Sequence, residues 1–199
     1  MKPVLLIGCG GHAHSLIDLI ETTGQWQIHG LVGLPEQMGN NILGYPVIGC
    51  DKDLSKLRKD CTMVVLALGQ LPKPDQRQKL LAYLEELNFQ FPILISPHAV
   101  VSRHAQIDVG TTIGHGVIVN AAVKIGKYCT LNSRALLEHN VHVGDHCHIS
   151  TGALVNGDVH IGAGSFIGSG SLIREGLKLP PQSVISAGKR VMGWPLRNS

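Results

Sequence analysis

Leu131-Asn-Ser-Arg-Ala-Leu-Leu137-Glu-His-Asn-Val-His-Val143-Gly-Asp-His-Cys-His-Ile149 carries an aliphatic residue at every sixth position. The same step runs outward in both directions, through Ile95, Val101, Ile107, Ile113, Val119 and Ile125 above it and Val155, Ile161, Ile167, Ile173, Leu179, Ile185 and Val191 below it. At about one chance in three per site, a run this long arises by accident on the order of once in 10^8, so it is an internal repeat. Four residues after most of these aliphatics stands a second small or apolar residue, such as Thr111, Val117, Val123, Cys129, Ala135, Val141, Cys147, Ala153 and Val159. Gly, Asn or Asp often follows the aliphatic directly, as at Asp108, Gly114, Gly126, Asn132 and Gly144.

A helix repeats its apolar residues every 3.6 positions and a simple strand every two, so a strict six fits neither. It fits a parallel β-helix with one hexad per flat face, the aliphatic pointing inward and the Gly, Asn or Asp turning the corner. Three faces per coil make eighteen residues the vertical repeat, with coils about 4.8 Å apart as neighbouring strands are. The inside of such a prism is filled, so its chemistry must lie on the outer faces or between copies. Cys129 and Cys147, eighteen apart, should then stack inside adjacent coils as two buried thiols.

Composition sets the remaining bounds. The chain has 199 residues, of which 44% are hydrophobic, enough for one sizeable core or two small ones. A net charge of +3 without long basic runs gives no reason to expect nucleic acid or an anionic membrane as partner. The apolar opening run Val4 to Ile7 is too short for a signal peptide or a membrane span, and reads as a buried strand. Five cysteines with no C-x-x-C pair favour a reducing compartment, and we expect a cytoplasmic protein.

Ahead of the repeat, residues 1–94 read as a small α/β domain with a parallel sheet of Rossmann-like type, and residues 95–199 as the β-helix. Strands are expected at Val4–Ile7, Ile28–Val32, Thr62–Leu68 and Phe91–Leu94, and helices at about His12–Thr22 and Pro74–Leu87. Gly44–Gly49 reads as a turn, and Asp51 as the cap of a short helix to Arg58. Between the first strand and first helix lies Gly8-Cys-Gly-Gly-His12, whose Gly8, Gly10, Gly11 and His12 would let a phosphate approach the helix N-terminus. No acid ends the second strand, where a dinucleotide binder would hold ribose; Gly33 stands there. That disfavours NAD and favours a nucleotide diphosphate group, with a packed, unliganded turn as the alternative.

Histidines are the conspicuous polar residues of the repeat. His142 and His160 share the last place of a hexad one coil apart, whereas His139 falls at a corner and faces outward. A neutral imidazole is the usual general base near pH 7. Glu138 to His148 also holds four His and one Cys, but positions around a rigid prism point in different directions, so no metal site is expected.

The chain resembles the bacterial sugar acetyltransferases of the left-handed β-helix class, which include UDP-4-amino-sugar and perosamine N-acetyltransferases and sialic acid O-acetyltransferases. The resemblance rests on Ile7-Gly-Cys-Gly-Gly-His-Ala13, Gly44-Tyr-Pro-Val-Ile-Gly49, Ile95-Ser-Pro-His-Ala-Val-Val-Ser102, Glu138 to Ala153, Asn156 to Gly162 and Gly193-Trp-Pro195. It implies a homotrimer that uses acetyl-CoA and a nucleotide-linked amino sugar, with no metal. By the same resemblance His139 matches the catalytic base, His148 a contact to acetyl-CoA, and Gly157, Ser169 and Ala187 the backbone lining of the coenzyme groove. Many members carry an acid directly after the base; here it is Asn140, so Glu138 substitutes or the base is weaker. Asn140 makes an amine acceptor easier than a hydroxyl, which leaves O-acetylation as the rival chemistry. A non-catalytic nucleotide-binding scaffold is the rival of another class.

Overall fold

The computed structural model describes residues 1–69 and 74–195, the side chains of 74 and 75 excepted. It divides into two compact units, Met1–Pro92 and Ile93–Ser199.

In the first unit, β1 (Lys2–Ile7), α1 (Gly11–Thr23), β2 (Trp26–Val32), β3 (Asn41–Ile42), β4 (Tyr45–Gly49), α2 (Leu54–Leu57), β5 (Val64–Leu66) and α3 (Pro74–Glu86) follow in order. The sheet order is β3-β4-β2-β1-β5, with β3 antiparallel to β4 and the other pairs parallel. Val4 to Ile7 are almost fully buried because β1 is central, and α1 covers the sheet with Ala13, Leu16, Ile17 and Ile20. The strand order reverses beside β1, so the glycine loop after β1 opens at the switch point of the sheet.

Three local expectations fail here. Gly44–Gly49 is not a turn: Leu43 and Gly44, at φ +48° and +89°, are the two-residue loop that joins β3 to β4, and Tyr45–Gly49 pairs with β2. The Gly and Pro of that stretch masked an edge strand whose Val47 is buried. Asp51 is not a cap; Asp53 Oδ2 accepts the N–H of Cys50 at 2.9 Å, and the α-helix is only Leu54–Leu57. Phe91–Leu94 adds no strand to this sheet. Gln90 makes an isolated bridge to Met63, and Leu94–Ile95 pairs instead with Thr112–Ile113.

The second unit is a left-handed parallel β-helix. Its two-residue strands stack into three sheets, and every paired residue is eighteen positions from its partner, as Val100, Ile118, Leu136, Leu154 and Leu172 illustrate. We call the sheet bearing that column face A, the sheet of Lys124, His142 and His160 face B, and the sheet of Thr130, His148 and Phe166 face C. From Ile113 onward the hexad aliphatics are buried, whereas Ile95 is 38% exposed and Val101 and Ile107 are half-buried because the first coil has none above it. Each fully buried aliphatic contributes about 1.5–3 kcal/mol. Ile149→Ala, in mid-column, should therefore lower unfolding free energy by about 2–5 kcal/mol in denaturant titration.

The corners work differently from the expectation. The residue with positive φ is the third after the aliphatic, as at Arg134 (61°), Asn140 (60°), His146 (58°) and Asp158 (57°). Glycine directly after the aliphatic serves close stacking instead. A Cβ on Gly144 would lie 2.6 Å from Ala163 N, and one on Gly168 2.5 Å from Ala187 N. All five cysteines are free; Cys129 Sγ donates to Gly144 O at 3.1 Å and Cys147 Sγ to Gly162 O at 3.2 Å. The neighbouring Cys147 thiol, and then burial, hold the Cys129 thiol well above its ordinary range, whereas the contact with Cys129 lowers the Cys147 thiol.

Candidate active site

His139 stands at the corner between faces A and B, exposed, in the turn Glu138-His139-Asn140-Val141. Backbone bonds fix that turn: Asn140 N–H donates to Ala121 O at 3.1 Å, and Asp158 N–H donates to His139 O at 3.1 Å. One coil below lies Gly157, and its missing side chain makes the seat for the imidazole. A Cβ there would meet His139 Cε1 at 2.6 Å and Nε2 at 2.7 Å. The two sides of the ring differ in chemistry. Asn140 Nδ2 lies 3.4 Å from His139 Nδ1, a long contact, while Glu138 Oε2 accepts from Asn120 Nδ2 at 3.1 Å. Of the two neighbours expected to support the ring, Asn140 reaches it and Glu138 is held by the coil above.

Gly157 is buried, and its N–H makes no hydrogen bond to any described residue. It is a polar donor free for an incoming group. Gly157→Ala would force the ring off its seat; kcat should fall by about tenfold or more, since misplacement of this order costs up to 10²-fold, with the unfolding midpoint little changed. Paired steady-state and thermal measurements check it.

The other expected residues form a second group. His148, 9% exposed, stacks on Phe166 at 5.0 Å and faces Asn132 Nδ2 at 3.0 Å through Nε2. Ser169 donates to Ser150 Oγ at 3.1 Å, and exposed Ala187 lies one coil below Ser169. His148 is on face C, and Ser169 and Ala187 are at the corner between faces C and A. Within one chain, face A therefore separates this group from His139 and Gly157.

The histidines and cysteine weighed as metal ligands scatter as their spacing requires. His142 is on face B, His146 stacks on Tyr128 at 5.4 Å, and Cys147 points inward. Among the described residues no group of three or more His, Cys, Asp or Glu is placed to hold a metal ion.

In the α/β unit, Gly8 has φ +118°, and a Cβ there would meet Leu68 and the backbone of Ala67 within 3.0 Å. Gly10 and Gly11 border open space at the start of α1. At Gly33 a Cβ would lie 2.6 Å from Cys9 Sγ and 2.8 Å from Gln37 Oε1, so a side chain there would have to displace both. His12 is half-buried; desolvation and then the nearby Arg77 guanidinium lower its pKa. Arg77, 5% exposed on α3, is a residue that no motif marked. Asn120, by contrast, could be found from the eighteen-residue register, which puts it directly above Glu138.

Two family models match parts of the chain. Residues 3–84 match the PglD N-terminal domain, and residues 140–175 match the bacterial transferase hexapeptide model of six repeats. A mutant perosamine N-acetyltransferase from Caulobacter crescentus, in complex with CoA and GDP-perosamine, is 28% identical over 97% of this chain and 90% of its own, with TM-score 0.90. The chain is an acetyltransferase that carries hexapeptide repeats. Another solved acetyltransferase of this kind, the acetyltransferase domain of PglB from Neisseria gonorrhoeae, is 26% identical over 97% of this chain and 92% of its own, with TM-score 0.87. Its complex with acetyl coenzyme A superposes with TM-score 0.85 at 26% identity, over 96% and 92% of the two chains. No curated protein sequence matches this hexapeptide-repeat acetyltransferase. Among its described residues no helix is long and apolar enough to cross a membrane.

Proposed function

We propose that this acetyltransferase moves the acetyl group of acetyl-CoA to the 4-amino group of a nucleotide-linked amino sugar, in a direct transfer with His139 as general base. The observation that carries the reading is the seat of His139: an exposed imidazole on a rigid corner, held over a glycine whose N–H is unused. The bound ligands named for the Caulobacter and Neisseria proteins support the choice of substrates.

In this reading the imidazole takes the proton of the attacking amine, and Gly157 N–H donates to the oxyanion that forms at the former thioester carbonyl. The amide of Asn140 presents its oxygen to Nδ1–H, which leaves the lone pair on Nε2. That role requires the amide turned so that Oδ1 takes the place of Nδ2 at the 3.4 Å contact. An amide cannot stabilise an imidazolium by charge, so an amine, which needs less help in losing its proton than an alcohol, is the better acceptor. The α/β domain of residues 1–94 holds the nucleotide through Gly8, Gly10, Gly11 and His12.

The same reading makes the enzyme a cytoplasmic homotrimer. Val100 (66% exposed), Ile118 (38%) and Leu154 (38%), with half-buried Leu136 and Leu172, form an outward apolar stripe down face A. Packing of face A against a second chain would bring His139 and Gly157 of one protomer towards His148, Ser169 and Ala187 of its neighbour, across a seam long enough for the coenzyme. Thiol release from acetyl-CoA, measured with UDP-, GDP- and dTDP-4-amino sugars and with sialic acid, tests the reading. Turnover with an amino sugar is expected. Turnover with sialic acid alone would replace it by O-acetylation, and none with any acceptor would leave the scaffold alternative.

A further inference from the structure

Face B, next to the His139 corner, has a chemistry unlike the other two. An open trough of about 570 Å³ lies along it, with Lys124, His142 and His160 among its lining. These three and Lys178 form one outward column, since Lys124 is the strand partner of His142, His142 of His160, and His160 of Lys178. The His142 and His160 rings meet edge to face at 4.5 Å. Among the described residues neither lysine has an ion-pair partner, and the carboxylate lining the trough is Asp108. Like charges directly opposite on neighbouring strands are destabilising, and here up to four such groups stand in register. Burial, then His160 and Lys124, hold the His142 imidazolium below its ordinary range, so the column resists its own full charging. An anion laid along it would remove that repulsion and favour the charged form of every member.

We propose that the column Lys124–His142–His160–Lys178 binds the phosphate groups of a substrate lying in the face B trough. The inference deepens the acetyl-transfer reading and rests on it for the nature of the substrates, both of which carry phosphate esters. His142, one of the residues lining the trough, opens the strand directly after the His139 turn. A ligand anchored there would thus have its reacting end within reach of the base. The shared chemistry is a phosphate mono- or diester, and it has two sources: the adenosine 3′,5′-bisphosphate head of the coenzyme or the diphosphate of the sugar nucleotide.

Calorimetric titration of the full-length protein with adenosine 3′,5′-bisphosphate, and separately with UDP and GDP, distinguishes them. In the double variant Lys124→Met/Lys178→Met the affinity for one probe is expected to fall by about tenfold or more, the worth of a charged hydrogen bond. His142→Gln/His160→Gln should give a smaller loss for the same probe. Both lysines are exposed, so unchanged unfolding midpoints are expected and are measured alongside. A loss confined to the adenosine probe assigns the coenzyme, and one confined to UDP or GDP assigns the acceptor. Wild-type affinity retained in both double variants, or a wild type that binds neither probe, overturns the proposal. Thiol-release turnover is scored independently: a protein with column-dependent binding but no turnover keeps the anion site and loses the acetyl-transfer reading.

Discussion

Replacement of His139 by alanine should lower kcat by about 10²–10⁴-fold, the usual contribution of a positioned general base, while the dissociation constant for acetyl-CoA changes by less than about threefold. The asymmetry follows from where the ring sits. His139 is exposed and rests on Gly157 without holding any coil together, so its removal leaves the column intact. Its backbone bonds to Asp158 and from Asn140 to Ala121 do not involve the side chain. Rapid-mix turnover and equilibrium binding on the same preparation check the two halves. A variant with wild-type kcat would remove His139 from the chemistry, and one that loses coenzyme binding in proportion would make it a binding residue.

An effect of similar size is expected from Leu136→Asp/Leu154→Asp on face A. Both side chains belong to the outward apolar stripe, one above the other in register. In the proposed trimer each carboxylate would be buried against a second chain, at a cost of several kcal/mol per site, multiplied over three seams. Light scattering should then report a 21.3 kDa protomer, with turnover falling by more than about 10²-fold. The fold itself should survive, because Leu137 and Val155, which fill the inside, are untouched. A trimer that withstands both substitutions would move the seam to another face. A monomer that retains full turnover would show that His139 and Gly157 work without a neighbouring chain.

The two experiments probe features of unequal visibility in the sequence. The corner position of His139 follows from counting places within its hexad, whereas the apolar stripe emerges only when the coils stack, because its members stand before every third aliphatic. Which neighbour supports the ring did not follow. Glu138 and Asn140 flank His139 equally in the chain, yet Asn120 takes Glu138 and leaves Asn140 by the ring. The two-residue loop Leu43-Gly44 was also hidden, because leucine at positive φ is uncommon and the Gly and Pro that follow suggested a turn further on. Arg77 beside His12 had no signal at all, since nothing in a helical pattern says what an arginine will face.

By itself the sequence determined the column. A hydrophobic period of six fits one hexad per flat face, and the stacked strands bear out three faces and an eighteen-residue register. Tertiary structure decided what the side chains do once stacked. It put the positive φ on the third residue after the aliphatic, used the preceding glycines for close coil contact, and cut the seat of the imidazole from Gly157. The physical reason is that a repeat fixes which backbones are neighbours, whereas contacts of a few ångströms between side chains depend on rotamers and on steric room that no linear pattern contains.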